Sequence, residues 1–377
     1  MTYRILIIDF YPVINGTASF VMGVYRHMDK SRFQFDFLIS ESYRHRTEHL
    51  DEIKRLGGRV FYFDYNRENF FGERIDKLRA FLSTHPEICG IHVHDTRWQT
   101  GPLILANELG LPVKAIHSHA SWGRSNPLKH LSRPDIVERI QSIAGPQFLR
   151  LACSDLAGMY EFSDLSFEFI PNGIDTERFV YNPVRRELAR RQLGASAETI
   201  VIGFVANNGP AKNFPKALEV FEEFHKIVPN SILLTVGNEY YKRNTPKLIK
   251  ASSCKDSVRH VNATGTVDML YSAIDFTINT SFTEGLPFAI IEAQATGLPC
   301  LISDEITSMV RLTDLVEFMS IKKPARDWAE AMLRMLEEHP DRRSRTEEIK
   351  AAGFDVRQVA EKLMNIYQEQ IDKQSGL

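Results

Sequence analysis

Residues 280–299 read TSFTEGLPFAIIEAQATGLP, and this stretch is the most informative one for the fold of the chain. Short apolar runs lie on either side of it, at residues 276–278 and 300–302, and both fit buried strands. Between these runs a helix is predicted, with Pro287 in its first turn and Gly297 at its end. The stretch therefore predicts a strand, a loop, a helix and a second strand in succession.

Two carboxylates belong to this predicted unit. Glu284 lies in the loop that leads into the helix, and Glu292 lies in the second turn of the helix. The N–H groups and the positive dipole end of a helix N-terminus favour phosphate, while nearby carboxylates suit sugar hydroxyls. The pattern thus indicates a binding rim. The alternative is a core helix whose two glutamates are only solvated.

Strands and helices are predicted to alternate along the whole chain. An aliphatic run at residues 5–8, a glycine-containing loop and a helix open it, as in nucleotide-binding α/β domains. The loop lacks the G-x-G-x-x-G pattern, so a dinucleotide-binding fold is not supported. Further strands are predicted at residues 35–39, 60–63, 90–94, 113–117, 149–153, 167–170, 200–205, 232–236, 258–261, 275–278, 299–302 and 316–320, with helical patterns such as 75–82 and 102–109 between them. This alternation predicts an α/β fold with mainly parallel sheets.

The alternation breaks at a Pro-Asn-Gly turn, residues 171–173. A linker here predicts a first domain at residues 1–175 and a second at residues 176–354, both of ordinary size. Residues 355–371 carry apolar side chains at helical spacing and predict an amphipathic helix. Most such helices pack on a core, and a partner-binding helix is the alternative.

Composition places the chain among ordinary globular proteins. Of its 377 residues 43% are hydrophobic and 25% are charged, and the net charge of −2 gives no general attraction to nucleic acid. The four cysteines show no metal-ligand spacing, which favours buried reduced thiols. No apolar run approaches the ~20 residues that span a bilayer, and the first strand leaves no room for a signal peptide. We therefore expect a cytoplasmic protein.

Two His-x-His pairs occur at the ends of predicted strands: His92 with His94, and His117 with His119. Residues two apart in a strand point to the same side, so each pair presents two imidazoles together. Four histidines would suit zinc, but no cysteine or carboxylate is placed to complete a closed site, and no metal is expected. Since parallel sheets bind ligands at the carboxyl ends of their strands, a position beside a ligand cleft is the favoured interpretation.

The residues around the two glutamates carry a family resemblance. Their E-G-L-P…E-A-x-A-x-G-L-P context resembles the signature of the retaining glycosyltransferases of family four. The resemblance implies the GT-B fold, in which two Rossmann-like α/β domains face a cleft and the last helix, here residues 355–377, crosses back to the first domain. It also implies that Glu284 contacts hydroxyls of the donor sugar and that Glu292 accepts hydrogen bonds from the ribose.

Further segments follow the family's order. The turn at Asn172 resembles the family hinge, and the family's Lys-Asn pair is present as Lys212-Asn213, with the lysine facing a diphosphate. The family usually reads Gly-Arg before that pair, whereas this chain has Ala206 and Asn207. Loss of the guanidinium removes a bidentate phosphate contact, since an asparagine offers only a neutral donor.

The resemblance also assigns the remaining site residues. A similar His-Ser-His segment approaches the donor sugar in the family, which makes both His117 and His119 candidates without choosing between them. Gly16 would face the diphosphate from the first domain. From the second domain the diphosphate would be neutralised by the segment that begins the helix, formed by Gly285, Leu286 and Pro287.

The activity implied is transfer of a hexose or N-acetylhexosamine from a nucleotide diphosphate sugar, with UDP expected, to a saccharide or lipid-linked saccharide. Capsule or exopolysaccharide assembly in a bacterium is the expected setting. The chain contains no Asp-x-Asp pair, so no metal-bridged diphosphate is expected. Two alternatives stay open: a catalytically weak nucleotide-sugar-binding homologue or partner subunit, and a sugar-nucleotide epimerase of the same architecture.

Two segments mix basic and aromatic residues. One runs over residues 67–79 and the other over residues 122–139. Such segments can lie on an anionic membrane surface, although a solvated face is the more frequent outcome. They allow peripheral contact with the inner face of the cytoplasmic membrane.

Overall fold

A computed structural model describes residues 2–8, 10–64, 72–94, 100–121, 138, 140–207, 209–238 and 245–376. The described residues form two compact units. The first holds those up to Gly173 together with those from Val356 onward. The second holds Ile174–Asp355.

The first unit is built on a parallel sheet of seven strands in the order β3-β2-β1-β4-β5-β6-β7. The strands are β1 Tyr3–Ile8, β2 Phe33–Ser40, β3 Arg59–Phe63, β4 Ile88–Val93, β5 Val113–Ser118, β6 Leu149–Ala152 and β7 Glu168–Phe169. Five helices of this unit whose bounds lie within the described residues are α1 Gly16–His27, α2 Leu50–Arg55, α3 Glu73–Ser83, α4 Thr100–Glu108 and α5 Asp155–Phe162. Because helices cover both faces, the central strands are aliphatic and buried, as in β1, where Ile5, Leu6, Ile7 and Ile8 are fully buried.

The second unit repeats this plan with a six-stranded parallel sheet in the order β10-β9-β8-β11-β12-β13. Its strands are β8 Ile200–Val205, β9 Ser231–Val236, β10 Val258–Val261, β11 Phe276–Asn279, β12 Cys300–Ser303 and β13 Val316–Met319. Its helices are α6 Pro183–Leu193, α7 Phe214–Ile227, α8 Thr245–Ala251, α9 Val267–Ala273, α10 Phe288–Ala295, α11 Ala325–Glu338 and α12 Thr346–Ala351. The predicted α/β alternation and parallel sheets are confirmed.

In both sheets the strand order reverses beside a central strand, between β1 and β4 and between β8 and β11. Loops after such neighbouring strands diverge and leave a crevice where α/β proteins bind ligands. The loop containing Lys212 follows β8, and the loop containing Glu284 follows β11. In the first unit, the loop after β1 leads to Gly16. The topology therefore places several predicted site residues at these reversal points.

The final helix, α13, spans Val356–Ser375 and belongs to the first unit. Its buried side chains, Val359, Leu363, Tyr367 and Ile371 among them, recur at helical spacing as predicted. It packs against α1, and the Tyr367 ring lies 5.7 Å from the Phe33 ring. The amphipathic stripe is thus used as core.

One local expectation was wrong. Pro287 is the residue before α10, with an extended backbone (φ −74°, ψ 112°), and is not in the first turn. Its fixed φ suits either position, so composition alone does not distinguish them. None of the described helices is long and apolar enough to cross a membrane.

Candidate functional site

Glu284 and Lys212 meet where the loops after β11 and β8 come together. Lys212 Nζ forms an ion pair with Glu284 Oε2. Ser281 Oγ donates to Glu284 Oε1 over 2.8 Å, and Asn279 Nδ2 donates to the same oxygen over 3.4 Å. Only 11% of the Glu284 side chain and 25% of the Lys212 side chain are exposed. The carboxylate is therefore oriented by three donors in a partly enclosed position.

Backbone contacts join the same two loops. Phe282 N donates to the Ala211 carbonyl over 2.7 Å, and Thr280 Oγ1 donates to the Asn213 carbonyl over 3.0 Å. Asn213 has a left-handed backbone (φ 52°, ψ 48°), which non-glycine residues rarely adopt and asparagine tolerates best. This conformation turns the chain from the 3-10 turn at Pro210–Lys212 into α7. Asn213 thus shapes the loop that carries Lys212.

Asn207 closes a neighbouring loop. Its Oδ1 accepts a hydrogen bond from Asn238 N over 2.9 Å, and Asn238 Oδ1 accepts one from Ala263 N over 3.1 Å. Gly237 makes this approach possible: its φ is 154°, and a Cβ there would lie 2.0 Å from the Ala206 carbonyl oxygen. The residues in place of the family's Gly-Arg therefore tie the ends of β8, β9 and β10 together.

The helix α10 begins directly after Glu284. Gly285 and Leu286 are buried, and Leu286 is 3% exposed, so the segment that enters the helix is anchored in the core. The N-terminus of this eight-residue helix carries partial positive charge and begins four residues after Glu284, the partner of Lys212. Local potential here is suited to an anion, although the net charge of the chain is close to zero.

Glu292 lies on α10 among side chains of the same unit. It keeps some solvent exposure, yet protein atoms crowd its carboxyl group, and this desolvation raises its pKa to about 7. The interaction with Tyr271 and the charge of Arg178 lower the pKa, whereas the charge of Asp268 raises it further. The Tyr271 hydroxyl itself donates to the Ala289 carbonyl over 3.0 Å. A carboxyl group with this pKa changes protonation near neutral pH and can both accept and donate hydrogen bonds.

Arg178 and Asp268 form the outer part of this environment. Arg178 pairs with Asp268 over 2.9 Å and donates to the Gly265 carbonyl, and Arg185 pairs with Asp268 over 3.0 Å. Sequence reasoning missed these residues and Tyr271. Arg178 occupies a variable position of the Ile-Pro-Asn-Gly-Ile-Asp-x-x-x-Phe segment, so no motif signal marked it. Asn279 and Ser281 were also missed, although they stand in the polar sequence directly before Glu284.

The first unit brings the four strand-end histidines together. Adjacent rings lie 4.1 Å apart in the pairs His92–His94 and His117–His119, and 5.3 Å apart in His94–His119. His94 Nδ1 lies 3.0 Å from His119 Nε2, and His92 Nδ1 lies 2.5 Å from the hydroxyl oxygen of Tyr367 on α13. The alternation of side chains along β4 and β5 produces this cluster.

Burial keeps these imidazoles neutral. It lowers the pKa of His92 to about 3 and that of His119 to about 4, and it lowers the pKa of His94 and His117 well below the ordinary value. Mutual repulsion among the rings adds to the effect at His92, His94 and His117. The Asn172 side chain interacts with His119 and partly offsets the shift there. Asn172 and His119, predicted separately, are thus neighbours.

Gly16 is exposed at the start of α1. The Asn15 side chain caps this helix by accepting a hydrogen bond from Ala18 N over 2.8 Å. A Cβ at Gly16 would meet no described atom within 4 Å. Within the part of the chain that the structure describes, a side chain at this helix N-terminus would therefore meet no neighbour.

Much of the two basic and aromatic segments lies outside the described residues, namely residues 65–71, 122–137 and 139. Of the rest, Arg79 pairs with Glu108 over 2.6 Å on the surface of the first unit. That contact is an ordinary exposed ion pair.

Comparison with known proteins shows the family to which the chain is similar. The model of the family "Glycosyl transferases group 1" matches residues 185–352. EpsF of Bacillus subtilis (strain 168), a protein assigned as a glycosyltransferase, is 30% identical over 368 residues, which cover 95% of this chain and 94% of EpsF. The UDP-Gal:alpha-D-GlcNAc-diphosphoundecaprenol alpha-1,3-galactosyltransferase of Escherichia coli is 22% identical over 318 residues, 80% of this chain and 79% of that enzyme.

Solved structures share the fold. Anabaena HepE in complex with UDP has a TM-score of 0.75 at 17% identity, over 98% of this chain and 100% of HepE. Sucrose-phosphate synthase of Thermosynechococcus elongatus has a TM-score of 0.76 at 16% identity, over 98% of this chain and 100% of that chain. Two Rossmann-like units with parallel sheets, each like those of these proteins, define the GT-B class. The chain belongs to the glycosyl transferases group 1 family, as the context of the glutamate pair predicted.

Proposed function

We propose that this glycosyltransferase moves a hexose or N-acetylhexosamine from a UDP-sugar to a saccharide or lipid-linked saccharide, with retention of anomeric configuration and without a metal on the diphosphate. Bacterial capsule or exopolysaccharide synthesis, on the cytoplasmic side of the membrane, is the proposed setting. The observation that carries the proposal is the Lys212–Glu284 pair beside the N-terminus of α10, at the strand-order reversal of the second sheet. It joins a cation, helix N–H dipoles and a sugar-hydroxyl acceptor in one place.

Each group receives one task in this proposal. Lys212 and the segment formed by Gly285, Leu286 and Pro287 neutralise the diphosphate, while Asn207 and Asn213 shape the loop around it. Glu284 accepts hydrogen bonds from the sugar, and Glu292 from the ribose. Residues 176–354 act as the nucleotide-sugar domain, and residues 1–175 with 355–377 as the acceptor-side domain.

The first domain contributes three further groups. Gly16, at the start of α1, faces the diphosphate. His117 or His119 approaches the donor sugar, and Asn172 beside His119 holds that part of the domain in place. A neutral imidazole suits a contact with a sugar hydroxyl, because it offers one donor and one acceptor at every pH above its low pKa.

Retention follows from the direction of attack. The acceptor oxygen forms its bond to the anomeric carbon on the face from which the diphosphate departs, and the bonding pair of the C–O bond leaves with the diphosphate. The acceptor proton passes to the departing phosphate oxygen, so no protein nucleophile is required. The cation and helix dipole stabilise the negative charge that develops on the leaving group.

Two relatives support a UDP donor. The Escherichia coli relative is named for transfer from UDP-Gal, and HepE has been solved with UDP and with UDP-glucose. A thermal-shift panel of UDP, GDP, ADP and their sugars tests the choice, since a ligand that binds only the native state raises the unfolding temperature. Stabilisation by UDP forms alone is expected. No shift with any nucleotide would contradict the proposal.

A catalytically weak nucleotide-sugar-binding homologue is the second candidate, and one observation favours it. Asn207 stands where the family has arginine, and its side chain is already engaged with Asn238. Radiolabelled UDP-sugars separate the two functions: transfer or slow donor hydrolysis indicates the enzyme, whereas binding without either indicates the homologue. Conversion of the donor without any acceptor would instead identify an epimerase.

A further inference from the structure

The first unit contains a cluster of four histidines, whereas the proposed contact with a donor sugar needs only one of them. One nitrogen from each of His92, His94 and His117 lies within 4.8 Å of the corresponding nitrogen of the other two. All three residues are buried, with 0%, 5% and 0% exposure. Three imidazoles therefore converge in the interior, and each offers a ring nitrogen as a potential metal ligand.

Each of these three residues has a ring nitrogen without a hydrogen bond among the described residues. Among the residues that the structure describes, Nε2 of His92, Nε2 of His94 and both ring nitrogens of His117 accept or donate no hydrogen bond of normal geometry. Leaving a buried polar group unpaired costs about 1–3 kcal/mol. An ion that accepts a lone pair from each ring would satisfy all three at once.

The hydrogen bonds of His92 and His94 involve Nδ1, which leaves Nε2 of each ring to bind a metal ion. His92 Nδ1 is 2.5 Å from Tyr367 Oη, and His94 Nδ1 is 3.0 Å from His119 Nε2. If each Nδ1 carries the proton and donates, both Nε2 atoms hold lone pairs. Metal-binding histidines are held in this way, with the second ring nitrogen donating to an outer partner that fixes the tautomer.

We propose that His92, His94 and His117 bind one transition-metal ion, of the class that prefers imidazole, with Zn²⁺, Ni²⁺ and Co²⁺ as members. Nitrogens around a tetrahedral ion are about 3.4 Å apart, for bonds of ~2.0–2.1 Å. The separation of 4.8 Å is therefore closed when each ring moves by less than about 1 Å. The ion would link the ends of β4 and β5 and hold His119 through His94.

This inference differs from the expectation drawn from the sequence, which excluded metal because no cysteine or carboxylate accompanied the histidines. Three imidazoles with a solvent-derived fourth ligand do not need one. The ion is no part of the proposed diphosphate site, and with His117 on the ion His119 remains to contact the donor sugar, so metal binding and metal-independent transfer are separate properties. Either can fail without the other.

Titration of the chain with metal tests the inference. Protein without a polyhistidine tag is treated with a chelator, dialysed, and titrated with Co²⁺ by visible absorption and with Zn²⁺ by calorimetry. We expect one ion per chain. His117→Gln should weaken the affinity at least about 10-fold, whereas the matched change at exposed His45, His45→Gln, should leave it unchanged.

His117→Gln is the variant of choice because neither ring nitrogen of His117 forms a hydrogen bond of normal geometry among the described residues, and only an interaction with the Ile170 backbone is lost. If it nevertheless fails to fold, Tyr367→Phe replaces it, since that change removes only the hydroxyl held by His92 and should weaken binding several-fold. The inference is overturned if wild-type protein binds no ion at one per chain. It is also overturned if the folded variant binds as tightly as wild type.

Discussion

Lys212 and Glu284, 72 positions apart in sequence, form an ion pair across loops that follow neighbouring strands. Each is proposed to bind a different part of the donor, the diphosphate and the sugar. A donor that draws Lys212 toward its phosphates therefore also releases one oxygen of Glu284 for a sugar hydroxyl. In the proposed function, the pair thus couples binding of the diphosphate to binding of the sugar.

Glu284→Gln should separate turnover from nucleotide affinity. The change removes the negative partner of Lys212 and keeps the shape, so the affinity for UDP should be equal or a few-fold tighter. Turnover should fall by about 100-fold, because a neutral amide accepts sugar hydrogen bonds less strongly. Calorimetry with UDP and initial rates with the donor measure the two effects. Exposed Glu337→Gln serves as the control with no change in either.

Glu292→Ala should weaken UDP binding itself. Loss of a partly buried acceptor for the ribose hydroxyls should raise the Kd of UDP by about 10–100-fold. The Kd for inorganic pyrophosphate should be unaffected, which distinguishes ribose recognition from collapse of the site. Equal losses of UDP affinity in Glu284→Ala and Glu292→Ala would refute the division of tasks.

The Glu292 carboxyl should also make stability depend on pH. Its pKa is raised from 4.5 to about 7 in the native state, so the native state holds this proton more tightly than the unfolded chain does. Its contribution to stability is greatest below pH 4.5 and is lost as the pH rises to about 7, by at most about 3 kcal/mol and less after solvent screening. Denaturant unfolding of wild type and Glu292→Gln between pH 5 and about 8 measures this difference. Curves that stay parallel would contradict the prediction.

Gly237→Ala should damage the loop that Asn207 closes. The new Cβ would stand 2.0 Å from the Ala206 carbonyl oxygen, at a φ of 154° that other residues rarely adopt. We expect the free energy of unfolding to fall by at least about 2 kcal/mol, with weaker UDP binding. Gly209→Ala is the matched control, since a Cβ there meets no described atom within 4 Å. Similar losses in both variants would point to a cause other than this close approach.

Elements formed by local patterns could be predicted from the sequence. Residues 200–205 and 258–261 coincide with β8 and β10, since short apolar runs between turn residues leave little choice of bounds. The His-x-His spacing predicted paired imidazoles, and strand order then joined the two pairs. When neighbouring parallel strands carry histidines at the same end, a histidine cluster can be predicted there, although its individual contacts cannot.

Contacts between distant residues could not be predicted. The family resemblance assigned Lys212 and Glu284 to the same donor, but nothing in the sequence predicts their ion pair. Nor does it connect Tyr271 and Arg178 with Glu292, because the fold determines which loops and helices meet. The raised pKa of Glu292 results from burial by residues distant in sequence, so the sequence around Glu292 does not indicate it. Pro287 was placed one residue too far into its helix, since proline suits both positions.

The membership of α13 in the first unit has a consequence for synthesis of the chain. Residues 1–173 leave the ribosome before the second unit does, but the helix that packs on α1 and carries Tyr367 emerges only after the second unit. The first unit is thus completed after the second, and its nascent form exposes apolar surface on α1 and around Phe33 until α13 has been synthesised. A chain released early, short of Val356, would be left with that surface uncovered and prone to aggregate.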